Sequence, residues 1–197
     1  MLLRPPVVLM FILGVSVAII ACGSPSGPSQ SGNLRVMITD SPYGDASAVH
    51  VTFGELQVHP AYGGDWLPVD FAGAAASRTC NLKKLEGPID ILGADSLIAG
   101  PYGQVRLVVA EAVIYFGGTA TTEPACAAAL APPTGFTSRA PLEIPSGEVK
   151  LTRQFELVGK GTTTIDLDFE GDKSITRTGS NRYRMTPVIA IKSVSTP

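Results

Sequence analysis

This 197-residue sequence predicts an all-β fold, an antiparallel two-layer β-sandwich. Three observations predict it. Apolar residues recur at every second position in one segment after another, which is the period of a half-buried strand. After residue 33 no segment carries the wider stripe of an amphipathic helix. Turn-forming Gly, Pro, Asp and Ser interrupt the alternating segments at short spacing, giving about eight to ten strands, the pattern of a sandwich. A closed barrel is the second architecture compatible with that pattern.

The elements follow in order. LRVMIT (34–39) alternates. Asp40-Ser41-Pro42 then predicts a turn, because an aspartate can bond the backbone two residues on and proline cannot continue a central strand. AVHVTF (48–53) sets Val49, Val51 and Phe53 on one side and His50 and Thr52 on the other. Gly54 predicts a bulge or bend before ELQVH (55–59) resumes. WLPVDF (66–71) reads as a short strand weakened by Pro68. Residues 72–98 give the least decided signal: AGAAASRTCNLKKLEG has room for one helical turn, and IDILGADSLI for a short strand and a loop. QVRLVVAEAVIYF (104–116) is the most apolar stretch beyond residue 33. It is long for a single strand and predicts a bend near Glu111. Residues 119–139, rich in Ala, Thr and Pro, read as a surface excursion. Strands in PLEIPSG (141–147), VKLTRQFELVGKG (149–161), TTTIDLDFE (162–170) and YRMTPVIAIKSV (183–194) complete the set.

The N-terminus carries a different signal. Arg4 is the one charge in residues 1–21, and VVLMFILGVSVAII (7–20) is an apolar run of about 14 residues, the length of a signal-peptide core and short for a membrane span. It ends in Ile19-Ile20-Ala21-Cys22, which resembles the lipobox of bacterial lipoproteins. That resemblance implies cleavage before Cys22 and lipidation of its thiol. GSPSGPSQSG (23–32) has no charge and no apolar side chain larger than proline, so it reads as a flexible tether. The predicted organisation is a signal peptide over 1–21, a lipid-anchored linker over 22–32 and one domain over 33–197. Residue 23 is Gly rather than the Asp that favours inner-membrane retention, so the expected location is the cell envelope, at the outer membrane. Loss of Arg4 with residues 1–21 reduces 15 basic side chains to 14, against 17 acidic ones. A mildly acidic chain carries no electrostatic footprint for nucleic acid. The expected partners are the membrane, through the lipid, and a glycan or an envelope protein.

With Cys22 assigned to lipid, Cys80 and Cys126 remain. An exported chain meets an oxidising compartment, so the pair predicts a disulfide. It would close a loop of about 47 residues, worth about 4 kcal/mol by chain entropy.

Two constellations bear on function. DLDFEGDKS (166–174) places Asp166, Asp168, Glu170 and Asp172 at alternate positions with Gly171 among them, as at the start of an EF-hand calcium loop. The twelfth position, which should be a bidentate glutamate, is Arg177. The upstream alternation of Ile165, Leu167 and Phe169 favours a strand with an acidic outer face, ended by a Gly171-Asp172 turn. Such a stripe needs relief from Lys150, Arg153 or Lys173, from water, or from a weakly held Ca2+. In AYGGDW (61–66), Tyr62 and Trp66 flank a glycine turn and could stack on a sugar ring; the alternative is a tryptophan that fills the core. His50 and His59 lack companion ligands for a zinc site and read as solvent-facing or edge-strand residues. No nucleophile elbow, zinc-protease helix motif or phosphate loop occurs, so the expectation is a binding module or a structural lipoprotein rather than an enzyme, with no cofactor.

VMITDSP, LIAGPYGQVRLVV, LEIPSGEVKLTRQFEL, TTTIDLDFEGDKSI and YRMTPVIAI occur in this order. Over roughly residues 33–194 the chain resembles the domain of unknown function 4382 family of exported proteins. The resemblance implies an Ig-like or transthyretin-like sandwich and no activity. The 119–139 excursion and the Cys80/Cys126 pair depart from the family's pattern.

Overall fold

The computed structural model describes residues 30–41, 43–87 and 89–196. The strands are β1 (Ser31–Asp40), β2 (Ala48–Pro60), β3 (Leu67–Pro68), β4 (Arg78–Asn81), β5 (Asp90–Ile98), β6 (Gly100–Phe116), β7 (Cys126–Ala127), β8 (Ser138–Glu143), β9 (Glu148–Leu157), β10 (Thr162–Phe169), β11 (Ile175–Gly179), β12 (Arg182–Met185) and β13 (Ile189–Ser195). A 3-10 turn spans Leu82–Lys84, and a single helical turn, α1, spans Gly171–Ser174. The signal segment, Cys22 and most of the predicted tether lie outside the described residues. The tether's last two positions, Ser31 and Gly32, already belong to β1.

The strands form two packed sheets, an all-β sandwich. The smaller has the order β13-β10-β1-β5. The larger runs β11-β12-β8-β6-β2-β4-β7, with β3 on β2 and β9 on β6. Alternation produces this layering directly. Leu34, Val36 and Ile38 of β1 and Ile165, Leu167 and Phe169 of β10 point inward. They meet Val49, Val51, Phe53, Leu56 and Val58 of β2 and Val105 and Leu107 of β6. Each such side chain, once buried, contributes about 1.5–3 kcal/mol.

Both sheets are mixed rather than purely antiparallel. β1 pairs with β10 in parallel, and so does β12 with β8. A period of two fixes which face a residue takes but says nothing of strand direction. β10 reaches β1 only after the chain has traversed the other sheet, the long crossover that parallel pairing requires.

β6 runs through all of Gly100–Phe116, pairing with β9 along its first half and β8 along its second. The bend predicted near Glu111 and the interruption at Gly54 are one feature. The β2–β6 register slips at Thr52/Phe53 and again at Phe53/Glu55, opposite Val108–Glu111. Asp90–Ile98 is a full strand rather than a short strand and loop. The helical turn of this region falls at Leu82–Lys84, where the Asn81 side chain accepts from the Lys83 N–H.

Cys80 and Cys126 form the predicted disulfide, as facing residues of the β4–β7 pair. The corner is pinned a second time by Asp90. Its carboxylate accepts from the N–H groups of Ile91 (2.7 Å) and Cys126 (3.0 Å). Arg78 pairs with it at 3.4 Å.

Candidate functional site

β1 and β10 both end at the same pole of the smaller sheet, because they run in parallel with Asp40 opposite Phe169. A cleft of about 690 Å3 opens there. It is lined by five carboxylates, from Asp40, Glu86, Asp166, Asp168 and Asp172, and by one lysine, Lys192.

The outer wall follows from alternation along β10, where Asp166 and Asp168 take the outward positions between Ile165, Leu167 and Phe169. Asp166 accepts from the Ser193 hydroxyl, and Asp168 lies 3.6 Å from Lys192. Glu170 is turned away into an ion pair with Lys173. Asp172 is exposed on the helical turn. The four predicted acidic residues therefore divide: three face the cleft and one does not. The strand reading holds for Asp166 and Asp168. The predicted Gly171-Asp172 turn is one turn of helix. Among the residues expected to relieve the stripe, only Lys173 pairs with it. Lys150 pairs with Glu148, and Arg153 donates to the Ile191 carbonyl. Lys192 and Ser193 take the other two roles, because β13 rather than β9 is the hydrogen-bonded neighbour of β10.

The residue that sequence reasoning missed is Asp40. It occupies the inward row of β1, following Leu34, Val36 and Ile38, and is 5 % exposed. Its carboxylate bonds far along the chain rather than within a local turn. Oδ1 accepts from the Gly171 N–H at 2.9 Å, across 131 residues of sequence. Oδ2 is buried with no hydrogen-bond partner among the described residues. Burial, reinforced by the Asp168 and Asp172 charges, pushes the carboxyl from its ordinary 3.8 up to about 7. The signal was present in the sequence as an aspartate that continues an apolar row at period two. A buried carboxylate without a counter-charge is costly, and groups of that kind concentrate at functional sites.

Gly171 makes the approach of the helical turn to this group feasible. A β-carbon there would lie 3.1 and 3.2 Å from the two Asp40 oxygens and 3.2 Å from the Ser41 carbonyl oxygen. The turn is held by the Asp172 N–H, which donates to the Ser41 carbonyl at 3.0 Å. Ser41 in turn donates its N–H to the Phe169 carbonyl.

Comparison with known proteins identifies the fold's family at this point. The model of DUF4382, a domain of unknown function, matches residues 31–187. The chain belongs to the DUF4382 family. The match starts with β1 and stops short of β13, so it includes all five carboxylates of the cleft and excludes Lys192 and Ser193. No curated protein and no solved structure matched the chain.

In this DUF4382 domain the other candidate surface lies apart from the cleft. Tyr62 is 92 % exposed. Trp66 neither fills the core nor offers an open ring. It sits over the outer side of the β2–β6 pair, with the Arg106 guanidinium 4.3 Å from its ring centre and His59 beside it at 5.0 Å. His59 is half-buried, and its Nε2 shares a hydrogen bond with the Gly64 carbonyl. His50, expected at an edge or in solvent, is buried in the central strand β2 against Tyr115. Burial lowers its pKa. Alternation assigned it to the outer face correctly, but the 119–139 excursion covers that face, with Phe136 against Tyr115. Among the described residues, no three His, Cys, Asp or Glu side chains form a ready metal cage, and no helix is long and apolar enough to cross a membrane.

Proposed function

We propose that this chain is a lipid-anchored recognition module of the cell envelope, which binds an envelope glycan or protein through the acidic cleft and carries out no catalysis. One observation carries the reading: the cleft stands at the end of the domain opposite its tether. β1 begins at Ser31, immediately after the predicted linker, and ends at Asp40. Ten residues of extended strand separate the two poles by about 30 Å. A domain held through Cys22 would thus present the cleft away from the lipid surface. Five carboxylates against one lysine suit a ligand with cationic groups, or one bridged through a cation. Ile89, 54 % exposed on the cleft's rim, adds an apolar contact.

The test has two arms. Cys22→Ala should release the protein from washed membranes; retention of an uncleaved chain there would overturn the anchor. A glycan array and an envelope-protein pull-down should yield a ligand whose binding is saturable, competable and lost in Asp168→Asn/Asp172→Asn. Failure across both screens favours a purely structural lipoprotein. A second reading, a sugar platform in the loop after β2, rests on the exposed Tyr62 ring. Binding lost in Tyr62→Ala and kept in the cleft variant would select it.

A further inference from the structure

The cleft holds an unsolved electrostatic problem. Asp40 is buried at the end of a row of core side chains, and its Oδ2 has no donor. Two further carboxylates, Asp168 and Asp172, lie close enough to act on it by charge. Among the described residues, Lys192 is the one cation lining the cleft, and it sits at Asp168. Both Asp40 oxygens and the Ser41 carbonyl oxygen surround the place where a side chain at Gly171 would stand. Gly171 thus lets the turn pack against these three oxygens: Asp40 Oδ1 accepts from the Gly171 N–H, the Ser41 carbonyl accepts from the Asp172 N–H, and Oδ2 is buried without a donor among the described residues. Glu170 and Asp166 have other engagements, with Lys173 and Ser193.

We propose that this end of the cleft is a divalent-cation site, taken by calcium, with Asp40 as the buried anchor, Asp168 and Asp172 as the movable carboxylates and the Ser41 carbonyl as a neutral ligand. The inference rests on reading the cleft as the recognition site, and makes the cation the bridge to the partner. The ligand set is all oxygen, which selects a hard cation over zinc or copper. As they stand, no three His, Cys, Asp or Glu side chains among the described residues are grouped to hold a metal ion, so Asp168 and Asp172 must move to reach it, and the ion must tolerate irregular geometry and keep several waters. Calcium accepts six to eight oxygens at flexible angles, whereas magnesium demands a near-ideal octahedron and gives up its water reluctantly. The partly open cleft leaves room for those waters and for one group of a partner. The site differs from an EF-hand loop, in which one continuous segment supplies the ligands; here they come from β1, β10 and the turn after β10.

The experiment is calorimetric titration of the oxidised, detergent-solubilised full chain, stripped with chelator, against calcium chloride and separately against magnesium chloride. One calcium per chain is expected, with a dissociation constant of about 10⁻⁴–10⁻³ M, the range of extracellular modules. Magnesium should bind at least about tenfold more weakly. Asp40→Asn keeps the Gly171 hydrogen bond and should weaken calcium at least about tenfold. Asp172→Asn, on an exposed residue that cannot disturb the core, should do the same. Asp166→Asn should change affinity less than about threefold. No calcium heat up to about 10 mM overturns the inference, and so does calcium binding equal in wild type, Asp40→Asn and Asp172→Asn. Ligand capture that needs Asp168 and Asp172 but persists in chelator overturns the cation and leaves the recognition reading standing. Calcium binding with the expected variant pattern and no ligand in any screen does the reverse.

Discussion

Two carboxylates of the smaller sheet, a half-buried Asp90 on β5 and a buried Asp40 on β1, are treated in opposite ways. At the disulfide corner, both oxygens of Asp90 accept from backbone N–H groups, and Arg78 stands beside it as counter-charge. At the acidic cleft, Asp40 is more deeply buried, has one N–H donor and keeps one oxygen orphaned beside two more acids. Asp90 ties β5 to the strand that carries Cys126, so its charge is spent on architecture. Asp40 opposes folding at neutral pH. A charge that lowers stability and is still positioned by a specific glycine contact is where function is expected to reside.

The largest expected effect lies at the corner. Cys80→Ser/Cys126→Ser should lower stability by about 2–4 kcal/mol in denaturant unfolding. A loss below about 1 kcal/mol would show that Asp90 and Arg78 hold the corner alone. At the cleft the sign reverses. Asp40→Asn, in chelator near pH 8, should raise stability by about 2–3 kcal/mol, since one buried charge disappears while the Gly171 bond survives. The pH dependence follows from a folded-state value of about 7 against an ordinary 3.8. The folded chain holds the proton more tightly, so this contribution is fully present below about pH 4 and is lost as pH rises through 7. The advantage of the asparagine variant should therefore shrink towards zero as pH falls from 8 to 4. A wild type more stable than the variant at pH 8 would break the comparison.

Asp90→Ala should cost about 2 kcal/mol in the same assay, because it strands Arg78 and two N–H groups in a partly buried corner. Equal effects of Asp90→Ala and Asp40→Ala would mean that both acids are architectural. The smallest effect concerns Gly171. Gly171→Ala pushes a methyl group against the Asp40 oxygens and the Ser41 carbonyl, and should cost about 1 kcal/mol. Its response to calcium should fall further than its stability does.

Much of this contrast was readable in advance at one site and hidden at the other. The disulfide was expected from counting cysteines, since a chain read as exported, with Cys22 assigned to lipid, leaves two thiols and one pairing. The outward placement of Asp166 and Asp168 followed from the period of β10. Asp40 was misassigned because Asp-Ser-Pro is a strong local turn signal, and its true partner, Gly171, is brought to it only by the parallel β1–β10 pairing. Trp66 and His50 show the same division. Alternation placed His50 on the outer face of β2, yet it cannot say that residues 119–139 fold back over that face, or that Arg106 covers the Trp66 ring.

Local chemistry thus decides which residues alternate, where turns fall and which faces are apolar, because these depend on neighbours in the chain and on a strand's fixed period. It decides the all-β class and the family. Strand direction, strand order and the meeting of Asp40, Asp168 and Asp172 depend on contacts between residues far apart in sequence, whose energies no local pattern records. The cleft exists only because two strands separated by more than a hundred residues run side by side and end at the same pole.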